Sequence, residues 1–345
     1  MSSITGLCPD GQAVRTITLA ANGVQLTLMD WGATWLSCQV MLEQKPREIL
    51  LGCAQLEDYL TQTAFLGATV GRYANRIGQA RFKRGEREYH LLPTGNTPHQ
   101  LHGGPNAFHA RRWQIIEHSS AHVVLAIESA DGDQGFPGHL VASVCYRVLE
   151  NGQIHMEYTA KVDAACPINF TNHAYFNLDG APNDVRRHTL RINAQQYLPT
   201  DAELIPLGPL APVAGSSFDF THAKRIERDF LADAQQQQTQ GYDHAFLLDE
   251  SCRGLKNAAA TLVSGDKRLT MMLYTSKPAL QFYSGNYLAG IPARHGVYSA
   301  YQGLALETQF LPDSPNHPEW PQPSCWLEPG ETYQHTTILV FQGQD

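Results

Sequence analysis

The sequence predicts an all-β fold, a large antiparallel β-sandwich, and three observations carry that expectation. Short segments of alternating polar and apolar residues, rich in Val, Ile, Leu, Thr and Tyr, recur along almost all of the 345 residues. Turn signals built on Gly, Asn, Asp and Pro separate them. Helical patterning is confined to two short stretches. Length alone is compatible with two domains, but large β folds run long as one unit. No repeat of fixed period and no linker-like stretch divides the chain, so residues 1–345 read as a single domain.

In chain order, VRTITLA (14–20) and VQLTLMD (24–30) flank Asn22-Gly23 and read as a hairpin. ATWLSCQVML (33–42) and REILLG (47–52) follow as strands, and QLEDYL (55–60) is a short helix. Arg81 to Leu92 is a second hairpin with Arg84-Gly85 at its tip. Four strands fill 113–162, broken by the Asp131-Gly132-Asp133 loop and by Asn151-Gly152. THAKRIERDFL (221–231) has a helical pattern, whereas the glutamines at 235–238 and the Pro/Gly-rich part at 206–217 are expected in loops. AATLVS, LTMMLYT, ALQFYSG and TTILVF complete the sheets in the last third.

Composition removes several functions. The formal net charge is -8 with no Lys/Arg block, which argues against nucleic acid or an acidic membrane as partner. The first residues lack the basic and apolar regions of a signal peptide, and no apolar run approaches a membrane span. Seven scattered cysteines with no CxxC fit reduced thiols and a cytoplasmic location. Fifteen histidines raise the question of metal, but no HExxH and no zinc-type spacing occurs. Asp131–Gly135 imitates the start of a calcium loop, yet position twelve would be Ala142 where a bidentate Glu is required. No metal is expected.

The chemistry gathers on unusual strands. In 301–310, Leu304, Leu306 and Phe310 form a core face, while Gly303, Ala305, Glu307 and Gln309 form the other. Two nearly absent side chains beside a carboxylate leave room for something small next to Glu307. A stiff loop with five prolines follows, carrying Asn316, His317 and Trp320. A surface Glu on an edge strand before an ordinary loop accounts for the same residues equally well. In INFTNHAYFNL (168–178), Asn169, Thr171, His173, Tyr175 and Asn177 share a face with hydrogen-bonding groups and no charge. Sugar hydroxyls need such mixed donors and acceptors. A polar ladder against a neighbouring sheet is the plainer alternative. Asn75 and Arg76 beside a tight turn, His102 before Gly103-Gly104, Asp243 at a strand entrance, and Gln281 and Tyr283 in ALQFYSGNYL are further polar points. Each is also explained as a surface, turn or capping residue.

Taken together, GRYANRIGQARF, LHGGPNAFHARRWQ, DGDQGFPG, NFTNHAYFNLDG, GYDHAFLL, LQFYSGNYL and LALETQFLPDSPNHPEWPQP resemble the aldose 1-epimerases, especially the bacterial galactose-operon type. Seven stretches in the family's order, from Gly71 to Pro323, make the resemblance specific. It implies a galactose mutarotase-like β-supersandwich with an open sugar cleft. It also implies interconversion of the α and β anomers of free galactose and glucose without metal or organic cofactor. By position, Glu307 matches the general base, His173 the general acid and His102 a second active-site histidine. Asn75, Arg76, Tyr175, Asp243 and Gln281 match residues that hold the sugar. Because a free His titrates near ~6.5, Glu307 and the acidic cleft are expected to raise His173 so that it carries a proton at neutral pH. The rivals are a hexose 6-phosphate epimerase, which would need a basic cluster such as Arg111-Arg112 or Arg186-Arg187, a glycoside hydrolase using Asp243 with Glu307, and a sugar-binding protein. The expected assembly is a monomer or weak homodimer.

Overall fold

A computed structural model describes residues 4–180 and 183–343. Most of its strands lie in three antiparallel sheets. The four strands Thr16–Ala21, Val24–Met29, Thr34–Leu42 and Lys45–Glu48 pair in sequence order. Asn22 and Gly23 both take positive φ in the first turn, the primed geometry that matches strand twist, and Ala21 faces Val24 across it. A nine-stranded sheet runs from Gln114–His118 through Tyr333–Gly343 at its centre to Lys224–Arg225 at its far edge. A five-stranded sheet orders Ala211–Pro212, Ala194–Tyr197, Asp243–Leu248, Ala279–Tyr283 and Ala305–Gln309.

The sandwich follows from alternation. Ile154–Val162 buries every second residue, and its neighbours do much the same, so the nine-stranded sheet has one dry face. Leu26 and Leu28 of the first sheet, and Phe246, Phe282 and Leu306 of the five-stranded sheet, share one buried cluster with Leu125, Val144, Leu262 and Leu339 of the nine-stranded sheet. The hydroxyls of Thr308 and Thr337 meet at 2.7 Å where the large sheets face each other. The expected β-sandwich is what the chain forms, and the hairpin with its tip at Arg84-Gly85 is present.

Three local expectations fail. Segment 221–231 is not a helix: Lys224–Arg225 pairs with Thr189–Leu190 and leads into a tight turn over Ile226–Asp229. Buried Lys224 donates to the Ser217 carbonyl and to Asp229, both at 2.7 Å, a tertiary tie that helical periodicity does not reveal. The glutamine run is a helix, Ala234–Thr239, not a loop. Asp233 caps it by accepting the Gln236 N–H at 3.1 Å, and buried Gln236 holds the Leu231 N–H and the Ser217 hydroxyl. Residues 168–178 alternate as expected but pair as a ladder only at Thr171–Asn172, with single bridges at Asn169 and Phe176. That broken segment crosses the floor of a cleft.

Candidate active site

Three adjacent strands of the five-stranded sheet build one wall. Gln281 lies opposite Glu307 and Tyr283 opposite Asp243, so the period-two alternation puts Asp243, Gln281 and Glu307 on the same face. Gln281 Nε2 donates to Asp243 Oδ1 at 2.7 Å and fixes its carboxylate. Glu307 is 3% exposed, and its Oε2 has no protein partner.

The facing wall comes from 67–77 and 100–104. Arg76 pairs with Leu101, which brings Asn75 beside His102. The two exchange hydrogen bonds: His102 N–H to the Asn75 carbonyl and Asn75 N–H to His102 Nδ1, each 3.1 Å. Both residues sit at left-handed φ, +67 and +52 degrees. Gly103 follows because a Cβ there would lie 2.1 Å from the Gly71 carbonyl oxygen. His173 and Tyr175 form the floor, with ring centroids 5.0 Å apart. These residues, with Phe65 and Tyr287 at the mouth, enclose about 170 Å³.

At the centre, His173 Nε2 lies 3.6 Å from Glu307 Oε1. The His102 ring stands edge-on to His173 at 5.2 Å. Removal from water governs all three groups. Burial, reinforced by nearby Asp243 and opposed by Arg76, pushes Glu307 up to about 8. Burial pushes His173 down to about 4. Burial, with His173, Arg76 and His109 nearby, holds His102 well below the usual imidazole range. The expectation that the acidic cleft raises His173 is therefore wrong. A Glu307 that is itself mostly protonated near neutral pH supplies little field to hold an imidazolium.

His102, His173 and Glu307 have the composition of a metal site, with one ligand atom of each inside a 4.8 Å spread. Tetrahedral bonds of about 2.0–2.1 Å would need these atoms ~3.4 Å apart. His102 Nδ1 also accepts a backbone N–H, so the neutral ring keeps its proton on Nε2. A metal-ligating imidazole has the reverse arrangement, donating from its far nitrogen.

Not every predicted polar residue faces the cleft. Asn169 accepts from Lys277 and from the Phe310 N–H and donates to the Ala74 carbonyl. Asn177 donates to the carbonyls of Asn183 and Gln302. Both are structural amides. Gly303 makes room for protein, not ligand: a Cβ there would come within 2.4 Å of Leu51 and 3.2 Å of the Tyr175 Cβ. The proline-rich loop buttresses the site from behind. Asp313 accepts the Gly78 N–H and donates its own N–H to the Arg76 carbonyl, while His317 stacks on Trp320. Sequence reasoning missed Phe65 and Tyr287 as cleft residues, because neither lies in an alternating strand.

The β-sandwich thus buries a carboxylate against an imidazole in a cleft of rings, amides and one guanidinium. The family profile for aldose 1-epimerase matches residues 15–340. The chain is 52% identical over 344 residues to the aldose 1-epimerase of Escherichia coli K12, covering 99% of each. It is 38% identical to the galactose mutarotase of Mus musculus, covering 96% of this chain and 95% of that one. The solved galactose 1-epimerase of Lactobacillus acidophilus superposes with a TM-score of 0.85 at 28% identity, covering 99% and 98%. The chain belongs to the aldose 1-epimerase family.

Proposed function

We propose that this protein interconverts the α and β anomers of free aldohexoses, galactose and glucose foremost, with Glu307 and His173 as the two proton carriers. The observation that carries the assignment is their separation of 3.6 Å. Mutarotation takes a proton from the C1 hydroxyl and delivers one to the ring oxygen. Both oxygens are bonded to C1, so two carriers side by side reach them together. Glu307 carboxylate and His173 imidazolium open the ring, leaving Glu307 protonated and His173 neutral beside the open aldehyde. Rotation about C1–C2 presents the other carbonyl face, and the same groups run in reverse to close the ring.

Burial favours the neutral pair, which is the state that follows ring opening, and so pulls the reaction toward the aldehyde. The closed sugar's hydroxyls offset that bias by hydrogen bonding the ionised pair. His102 donates from Nε2 at the reacting centre. Arg76, Asn75, Tyr175 and Asp243 hold the hydroxyls, and Gln281 acts by orienting Asp243.

For the 6-phosphate alternative, none of the four candidate arginines lines the cleft, and three are engaged by carboxylates. Arg111 is paired bidentately with Asp133, Arg112 with Asp10 and Asp30, and Arg186 with Asp184. A hydrolase built on Asp243 and Glu307 leaves His173 without a role. We take residues 1–345 as one catalytic unit, a monomer or weak homodimer of the cytoplasm. Among the described residues all seven cysteines are buried free thiols, which fits a reducing compartment, and no helix is long and apolar enough to cross a membrane. Polarimetry on α-D-galactose and galactose 6-phosphate in parallel tests the assignment: the free sugar should relax and the phosphate should stay at the buffer rate.

A further inference from the structure

We propose that Phe65 is a positioning residue for the reaction: its ring, wedged among three imidazoles, sets the orientation of His173 and His102 and keeps water off the His173 ring. The Phe65 ring centroid lies 4.7 Å from His102 and 4.8 Å from His109, both edge-on, and 5.9 Å from His173 at a shallow tilt. Among the described residues it is the single side chain in ring contact with all three.

The backbone is built to hold it there. Phe65 takes φ of +55 degrees, a left-handed conformation that an aromatic residue rarely adopts. The chain arrives from the helix Leu56–Thr61 through Gln62, whose side-chain oxygen accepts the Ala64 N–H at 2.7 Å. The Phe65 carbonyl closes the turn by accepting the Ala68 N–H at 3.0 Å. That turn is then clamped to His173 on both sides. His173 N–H donates to the Ala68 carbonyl at 2.8 Å, and Gly67 N–H donates to the His173 carbonyl at 2.9 Å. Strain of this kind at a site persists where the surroundings over-determine it.

Two nitrogens of the rings it touches have no protein partner. His173 Nδ1 is buried with no hydrogen-bond partner, as is His109 Nδ1. An orphaned imidazole nitrogen takes a water wherever one can enter. The titratable and charged groups around His173 are Glu307 and, beyond it, Asp243 from the five-stranded sheet; Arg76 and His102 from the facing wall; Tyr175 on its own segment; and His109, with Arg111, across the Phe65 ring. Shortening Phe65 removes none of these charges; it changes the support of the His102 and His173 rings and the access of water to them.

The test is an NMR pH titration of the histidine ring C–H signals in wild type, Phe65→Ala and Phe65→Leu, with His173→Asn to assign the His173 signal. The kcat/KM pH profile is measured alongside. Phe65→Ala should raise the His173 midpoint by about 1–2 units toward the solvated value, and the acid limb of kcat/KM should move with it. Phe65→Leu, which still excludes water, should titrate near wild type but turn over more slowly because the ring-to-ring orientation is lost. A folded Phe65→Ala variant whose His173 midpoint stays at the wild-type value would overturn the proposal, even if both variants lose activity. Should Phe65→Ala not fold, Phe65→Gly, which suits the left-handed backbone, reads the same shift. The kinetic consequence rests on the mutarotase reading; the NMR midpoint does not, so the two can fail separately.

Discussion

Replacing Glu307 with Gln should stabilise the protein increasingly as pH rises, because the site holds a carboxyl where ionisation is costly. Its pKa moves from 4.5 to about 8, mainly through burial. At about 1.4 kcal/mol per unit, a shift of 8 − 4.5 = 3.5 units corresponds to about 5 kcal/mol between acid and alkaline limits. The sign follows from proton counting. The folded pKa is raised, so between pH 4.5 and about 8 the native state holds a proton that the unfolded chain has lost. This contribution is fully present below pH 4.5 and is lost as pH rises through about 8. Urea unfolding of wild type and Glu307→Gln at several pH values from 5.5 to 9 gives the difference in stability at each. Groups away from the cleft titrate alike in both proteins and cancel. The variant should gain about 1.4 kcal/mol relative to wild type per pH unit up to about pH 8, then level off. Parallel stability curves would refute the reasoning, since Glu307 would then be solvated or ionised throughout.

Three other outcomes follow from the same geometry. With His173 at about 4 and Glu307 at about 8, the pair carries one proton between those values, so kcat/KM should show a plateau bounded by limbs near pH 4 and pH 8. His173→Asn should abolish the acid limb and lower kcat by 10²–10⁴-fold, roughly the range for losing a proton carrier, as read by stopped polarimetry across that pH range. Gly303→Ala should cost about 1–3 kcal/mol of stability and raise KM, because its Cβ is driven into Leu51 and the Tyr175 Cβ; unchanged melting and KM would show that Leu51 yields freely.

Much of the architecture was legible because alternation with period two is a direct consequence of one wet and one dry face. The hairpin at Asn22-Gly23 and the strand bearing Glu307 were read that way. Alternation could not say which polar faces meet ligand and which meet protein. Asn169 and His173 share a face in sequence, yet Asn169 ties Lys277 and Phe310 while His173 meets Glu307. The helix at Ala234–Thr239 was missed because its buried side is Gln236 and Thr239, held by hydrogen bonds and not by apolar packing. The direction of the His173 shift was also missed. It depends on burial of both members of the pair, which is a property of the folded cleft and of no single residue.

The most direct test of the central claim is polarimetry on freshly dissolved α-D-galactose, comparing wild type with Glu307→Gln at equal concentration and pH 7. Relaxation well above the buffer rate with wild type, falling to the buffer rate with the variant, is the predicted result. Equal relaxation by both proteins would remove Glu307 from the chemistry, and relaxation by neither would contradict the mutarotase assignment.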